Sequence, residues 1–356
     1  MAETAGADLL MLLHHAGLLL HLILVGFAVG GALLLCLFEI FRGEEIAHLE
    51  RLVSPRIAPA LILAIIAGFA PLLLLPVLHP LAYHQGGALL GVWRLAMLLP
   101  LSVGLTLIHL QSMESFRRLP GVFRFPVRLL GLLALTSVGA LWAIARRVGE
   151  EATLWSARAR DLPLEGMVRE ALPGIGLFLG VSLLLGAIGS VWLLEGEQRR
   201  ARLSPGERFR AEETLLRLAL LVAVGLAIAA EVLRARSGSP LGAPGWLLRG
   251  GLLLLLAGLV TQLQRVGPGR TIASIGALAS LAAGLLLREK RRQALLAAGG
   301  GLDTTVAAAA GDAEGRTVFL FALGLSTLGI LAVLRTLRRD APPPPTEEET
   351  RIEVLS

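Results

Sequence analysis

The segment LLLHLILVGFAVGGALLLCLFEI, residues 18–40, decides the structural class of this protein. No Asp, Glu, Lys or Arg occurs in it before Glu39. A helix needs about 20 mostly apolar residues to cross roughly 30 Å of hydrocarbon. The segment therefore predicts a membrane-spanning helix.

The composition of the whole chain agrees with that segment. Of its 356 residues 55% are hydrophobic, and the mean hydropathy is +0.72. These values are typical of membrane proteins. We predict an all-α, polytopic transmembrane bundle of about nine helices, in the bacterial inner membrane. The predicted helices cover residues 9–41, 57–82, 88–112, 124–146, 172–194, 214–234, 245–265, 271–288 and 317–337.

The distribution of positive charge predicts the orientation. Cytoplasmic loops of membrane proteins carry more basic residues than periplasmic loops. With a periplasmic N-terminus, more arginines of this chain lie on the cytoplasmic side than on the periplasmic side. This orientation leaves the run Arg288, Lys290, Arg291 and Arg292 outside. We predict a periplasmic N-terminus and a cytoplasmic C-terminus. The basic residues indicate contact with the lipid bilayer, and no nucleic acid is expected as a partner.

Loop lengths divide the chain into four predicted parts. Residues 1–146 form a four-helix membrane unit, 147–171 an interfacial connection, and 172–339 a five-helix scaffold unit. Residues 340–356 form a Pro- and Glu-rich tail, which such a composition keeps disordered.

The histidines are confined to the first third of the chain. They are His14, His15, His21, His48, His79, His84 and His109. This clustering predicts a site in the first three helices and a scaffold in the later ones.

His21 lies deep in the first apolar segment, and His14 lies seven residues before it on the same helical face. An imidazole in hydrocarbon needs a partner. It can donate a hydrogen bond to a carbonyl of a neighbouring helix, ligate a haem iron, or belong to a proton or ion path. These alternatives stay open at the level of sequence.

His79 and His84 flank the turn after the second predicted helix. In the predicted orientation they share a membrane face with His14 and His15, and all four are candidate residues of one haem site. The candidate ligands of the iron are His21, His79 and His84. The alternative is an interfacial role. Arg94, in the third helix, can pair with a haem propionate or extend to the interface.

The stretch from His21 through Phe27, Ala28, Val29, Gly30 and Gly31 to Glu39 resembles the first helix of the cytochrome bd oxidase subunit I superfamily and its bd-like relatives. That resemblance implies a nine-helix fold, and His21 as the ligand of a haem b near the periplasmic face. It also implies other membrane subunits and a periplasmic c-type cytochrome as partners. The small residues Gly26, Gly30 and Gly31 allow a porphyrin or a neighbouring helix to come close.

The chain also departs from the family pattern. No Asp or Glu lies between Glu50 and Glu114, no histidine follows His109, and no methionine follows Met167. The segment 234–246 is a short Gly/Pro turn in place of a long quinol-binding loop. These departures predict a non-autonomous electron-transfer subunit rather than a complete quinol oxidase.

Three functions follow as hypotheses. The first is a bd-like membrane subunit that holds haem b and relays electrons between a periplasmic cytochrome and the membrane. The second is a haemless scaffold subunit of such a complex. The third is a secondary transporter, suggested by helices interrupted at Pro71 and Pro100. No catalytic residue is predicted, because the sequence lacks the motifs of hydrolases and ATPases.

Overall fold

The computed structural model describes residues 2–41, 44–91, 93–150, 164–199, 205–237, 242–264 and 268–298. Within these ranges every regular element is an α-helix. The helices are α1 (Ala2–Ile40), α2 (Glu44–Leu78), α3 (Pro80–Leu90), α4 (Trp93–Ala96), α5 (Leu98–Ser112), α6 (Glu114–Arg117), α7 (Gly121–Glu150), α8 (Leu164–Arg199), α9 (Pro205–Ser237), α10 (Ala243–Leu263) and α11 (Gly269–Ala298).

Seven of the described helices, α1, α2 and α7 to α11, are long and apolar enough to cross a membrane. Large apolar side chains such as Leu221, Leu253 and Ile228 face outward from them. An apolar surface of this kind is covered by hydrocarbon in a bilayer. The protein is therefore a multi-pass, all-helical membrane protein, as the sequence predicts.

The third predicted helix is not continuous. The segment 88–112 is divided between the end of α3, the single turn α4 and the helix α5. Gly91, which ends α3, has a φ of 45°, a backbone conformation that glycine adopts without steric cost. With 15 residues, α5 is about 22 Å long, which is shorter than the hydrocarbon thickness.

Several long helices extend beyond their predicted ends. α2 begins at Glu44 although Pro55 and Pro59 lie inside it, and α11 continues to Ala298. These extensions contain polar residues. The length of an apolar segment, from which the helix bounds are predicted, therefore does not include them. The predicted helix 317–337 and the tail 340–356 lie outside the described residues, as does most of the predicted connection 147–171. The division into two membrane units stays a prediction.

α1 lies at the centre of the bundle, between α2 and α8, and also contacts α7. At the crossing of α1 and α8 the two backbones touch, because a Cβ added at Gly186 would lie 2.6 Å from the carbonyl carbon of Gly30. Leu185 fills the space beside Gly26, and Ile57 of α2 fills the space beside Gly31. Of the two roles expected for these glycines, the structure shows close helix approach.

Candidate functional site

His21 is fixed between α1 and α2. Its Nδ1 donates a hydrogen bond to the carbonyl oxygen of Ala64 at 2.7 Å. A Cβ added at Gly68 would lie 2.5 Å from that nitrogen, so the ring fits only because residue 68 is glycine. With the proton on Nδ1, the lone pair of Nε2 is available to a ligand. Nε2 has no hydrogen bond within the described part of the chain.

His14 lies on the same face of α1 and is oriented in the same way. Its Nδ1 donates to the carbonyl oxygen of Pro71 at 3.1 Å, and its side chain is buried. His15 turns away and donates to the carbonyl oxygen of Met11 in its own helix at 2.8 Å. The seven-residue spacing places His14 and His21 on one face of α1, as predicted, and in the structure that face lies against α2.

His79 stands between α2 and α3 and has a different environment. Its side chain is only 7% exposed, and neither ring nitrogen has a hydrogen-bond partner in the described structure. The nearest carboxylate oxygen, Oε1 of Glu289, lies 3.6 Å from Nε2. Burial, and then the positive charge of Arg292, lower the pKa of His79 to about 3. The ring is therefore neutral at pH 7.

Two predicted site residues, His84 and Arg94, belong to the short helices α3 and α4. His84 is exposed, and its ring packs edge-on against Tyr83 with centroids 5.6 Å apart. Arg94 belongs to α4, but its side chain lies outside the described residues. The pairing of Arg94 with a haem propionate stays a prediction.

A cavity of about 320 Å³ opens beside His79, where the ends of α2, α7 and α11 meet. Its walls are apolar toward the interior of the spans and charged at the helix ends. The lining residues are Leu72, Leu75, His79, Tyr83, Met97, Trp142, Ala145, Arg146, Gly149, Glu150, Arg288 and Arg292.

Ion pairs connect the charged residues at this cavity. Arg292 donates to Glu150 at 3.0 Å and lies 3.1 Å from Glu289. Arg146 pairs with Glu150 at 3.3 Å. The Nε of Arg288 is buried without a hydrogen-bond partner among the described residues.

The sequence does not reveal this charged group. The apolar run over 271–288 predicts a helix that ends at Arg288 and a loop that contains Arg292, whereas both residues lie within α11. The available signal was their spacing, because residues four apart lie on one helical face.

A second charged group lies where the end of α1 meets α2 and α7. Arg128 is fully buried and lies 2.8 Å from Glu39 and 2.5 Å from Glu50. Arg124, one turn earlier on α7, pairs with the same two carboxylates at 3.0 and 2.7 Å. Glu39 lies at the end of α1, and its side chain is only 8% exposed. The four side chains carry formally balanced charge and join three helices.

Haem ligation was tested against these geometries. His21 is the residue that would hold the haem iron, because its oriented ring presents a free Nε2, as in metal-binding histidines whose other nitrogen donates to a carbonyl. Across the described ranges, no three His, Cys, Asp or Glu side chains form a metal-binding group. A haem iron needs only one or two protein ligands, so this observation does not conflict with His21.

Comparison with known proteins was made at three levels. No family model matches the sequence, and no curated protein matches it. Among solved structures, one chain of "The structure of bd oxidase from Geobacillus thermodenitrificans" matches with a TM-score of 0.69 and 13% sequence identity. The match covers 94% of this chain and 99% of that chain. The protein therefore has the fold of a bd oxidase chain along nearly its whole length.

Proposed function

We propose that this chain is a membrane subunit of a bd-like electron-transfer complex in the bacterial inner membrane, and that it binds one haem b through His21. The observation that carries the proposal is the hydrogen bond from His21 Nδ1 to Ala64. It orients an imidazole inside an apolar helix pair and leaves Nε2 free. The shared fold with a bd oxidase chain supports the same assignment.

The protein supplies an environment for such a cofactor. His21 offers the ligand, Gly68 leaves room for its ring, and the apolar faces of α1 and α2 exclude water. When bound, haem supplies reversible one-electron chemistry, whose potential depends on axial ligands and surrounding polarity. His14, two turns from His21, is held by the same kind of hydrogen bond and is the second candidate ligand.

The test is the haem content of the purified full-length chain, measured as the pyridine haemochrome, with His21→Ala compared with His109→Ala. His109 lies on α5 and is exposed, so its replacement removes a histidine without touching the proposed site. We expect the wild type and His109→Ala to show a Soret band that His21→Ala lacks. Equal absorbance in all three proteins would refute His21 as the ligand.

A positioning test separates ligation from simple loss of stability. In Gly68→Ala, the new Cβ must displace the His21 ring from its hydrogen bond. We expect haem to be retained with a shifted Soret maximum or reduction potential. In Gly139→Ala the nearest side-chain atom is 3.7 Å from the added Cβ, so the spectrum should not change.

The second candidate is a haemless scaffold subunit. Two observations favour it. Gly26, Gly30 and Gly31 contact α8 and α2, which is a purely structural role. The side chains of His14, His15 and His21 all donate to backbone carbonyls, which satisfies one nitrogen of each ring without a cofactor. A flat reduced-minus-oxidised spectrum of a correctly folded protein would favour this role. Substrate uptake into proteoliposomes would instead favour a transporter.

The proposed partners are other membrane subunits and a periplasmic c-type cytochrome. Electrons would reach the haem from another protein. Stopped-flow mixing with a reduced c-type cytochrome should reduce the haem of the wild type. Absence of reduction in the intact complex would contradict this donor.

A further inference from the structure

The cavity beside His79 has the chemistry of a binding site for an anionic amphiphile. We propose that it binds the phosphate headgroup of an anionic phospholipid. This site is separate from His21, which does not line the cavity.

The described residues of the site carry unbalanced charge. Among them, the cavity and its immediate ion pairs contain three guanidinium groups, from Arg146, Arg288 and Arg292, and two carboxylates, from Glu150 and Glu289. His79 is neutral, so the formal excess is one positive charge. A phosphodiester carries one negative charge and would balance it. Guanidinium groups bind phosphate through paired, charge-assisted hydrogen bonds.

Two side chains in the site have polar atoms without a partner among the described residues. The ring nitrogens of His79 and the Nε of Arg288 are buried and make no hydrogen bond to any described residue. Buried polar atoms of this kind are uncommon, because each one loses the free energy of its hydration. Phosphate oxygens would accept hydrogen bonds from both side chains.

The position of the cavity favours a lipid over a free anion. His79 directly follows the span that ends at Leu78, and Glu150 is the last residue of its span. The apolar walls lie deeper: Leu72 is about 10 Å along α2 from His79, and Trp142 is about 12 Å along α7 from Glu150. A headgroup at the charged end would thus place its acyl chain along apolar side chains. Basic pockets between membrane helices bind anionic headgroups in general.

A zwitterionic lipid fits less well. Both carboxylates of the site already pair with arginine, Glu150 with Arg146 and Arg292 and Glu289 with Arg292. No described carboxylate at the cavity is left to accept a choline or ammonium group. The site should therefore distinguish phosphatidylglycerol from phosphatidylcholine.

The test titrates the purified full-length protein in a nonionic detergent with phosphatidylglycerol or phosphatidylcholine of identical acyl chains, and measures the bound lipid by native mass spectrometry. We expect phosphatidylglycerol to bind at least about tenfold more tightly. Both lipids offer the phosphate, but only phosphatidylcholine adds a cationic group that no described carboxylate at the cavity is left to accept. Equal affinity for the two lipids would overturn the proposal.

Variants on one helix provide the matched control. Arg288→Gln removes the unpaired guanidinium, and we expect it to weaken phosphatidylglycerol binding about tenfold. Arg291→Gln removes an exposed charge that does not line the cavity, and should change the affinity less than twofold. Arg288→Lys keeps the charge and should bind more tightly than Arg288→Gln. If Arg288→Gln weakens binding no more than Arg291→Gln does, the site is not at this cavity.

A third arm separates the two sources of phosphate. Inorganic phosphate at the lipid concentration should not displace phosphatidylglycerol, because it lacks the chain that contacts Leu75 and Trp142. Displacement at equal concentration would overturn the lipid assignment and indicate a free-phosphate site. The haem content of Arg288→Gln should equal that of the wild type, which keeps this test independent of His21.

Discussion

Removal of Arg128 should be among the most destabilising single changes in the described part of the bundle. Its side chain is fully buried, donates to the Leu35 carbonyl at 3.0 Å, and lies within 2.8 Å of both Glu39 and Glu50. In Arg128→Met, the positive charge of Arg124 alone faces the two negative charges of Glu39 and Glu50. Loss of one partner from a buried ion pair lowers the free energy of unfolding by about 3–5 kcal/mol, because the remaining charge stays desolvated.

The assay is reversible unfolding in mixed micelles with increasing dodecyl sulfate, monitored by tryptophan fluorescence. The control is Arg118→Met, which removes an arginine just before α7 that is 78% exposed and pairs with Glu114. An exposed pair of this kind contributes at most about 1 kcal/mol. We therefore expect a clear separation between the two variants.

A double variant tests the reason for the loss. Arg128→Met with Glu50→Gln restores the formal charge balance of the group, so it should be more stable than Arg128→Met alone. Two results would refute the reasoning. One is an equal loss in Arg128→Met and Arg118→Met, and the other is a double variant no more stable than the single one.

Two further predictions concern other parts of the bundle. Gly30→Leu should prevent the contact of α1 with α8, so that no monodisperse protein is recovered in size-exclusion chromatography. The control is Gly225→Leu, at a position with no neighbour within 4 Å, which should be recovered like the wild type. Equal recovery of the two variants would contradict the close contact of α1 with α8. The second prediction concerns His79, whose pKa is about 6.5 in the unfolded chain and about 3 in the folded protein. As the pH falls through this range, the unfolded chain binds a proton that burial keeps off the folded protein. The free energy of unfolding should therefore fall with the pH. His79→Gln should flatten this part of the curve of unfolding free energy against pH, and an unchanged slope would show that other groups cause it.

The pattern of the histidines predicted part of their arrangement. The seven-residue spacing of His14 and His21 correctly placed both on one face, because helical periodicity is a local property. Their partners, Ala64 and Pro71, could not be predicted, since both are backbone carbonyls on another helix. The position of His84 on an exposed face was missed because the sequence does not reveal that a short helix begins at Pro80.

The sequence by itself determined the class of the protein, because long apolar segments must form helices where no water can satisfy backbone groups. It also correctly predicted five of the later helices among the described residues, namely α7 to α11, although not their polar ends. Local composition sufficed for these features.

Only the tertiary structure decided which charged residues meet. Glu39, Glu50 and Arg128 come from α1, α2 and α7. His79 follows the end of α2, and it lies near Glu150 of α7 and Arg292 of α11. Each of these residues, taken alone in the sequence, is indistinguishable from an interfacial charge. Their burial depends on how the helices cross, which is set by close contacts such as that of Gly30 with Gly186 and is not encoded in any single segment.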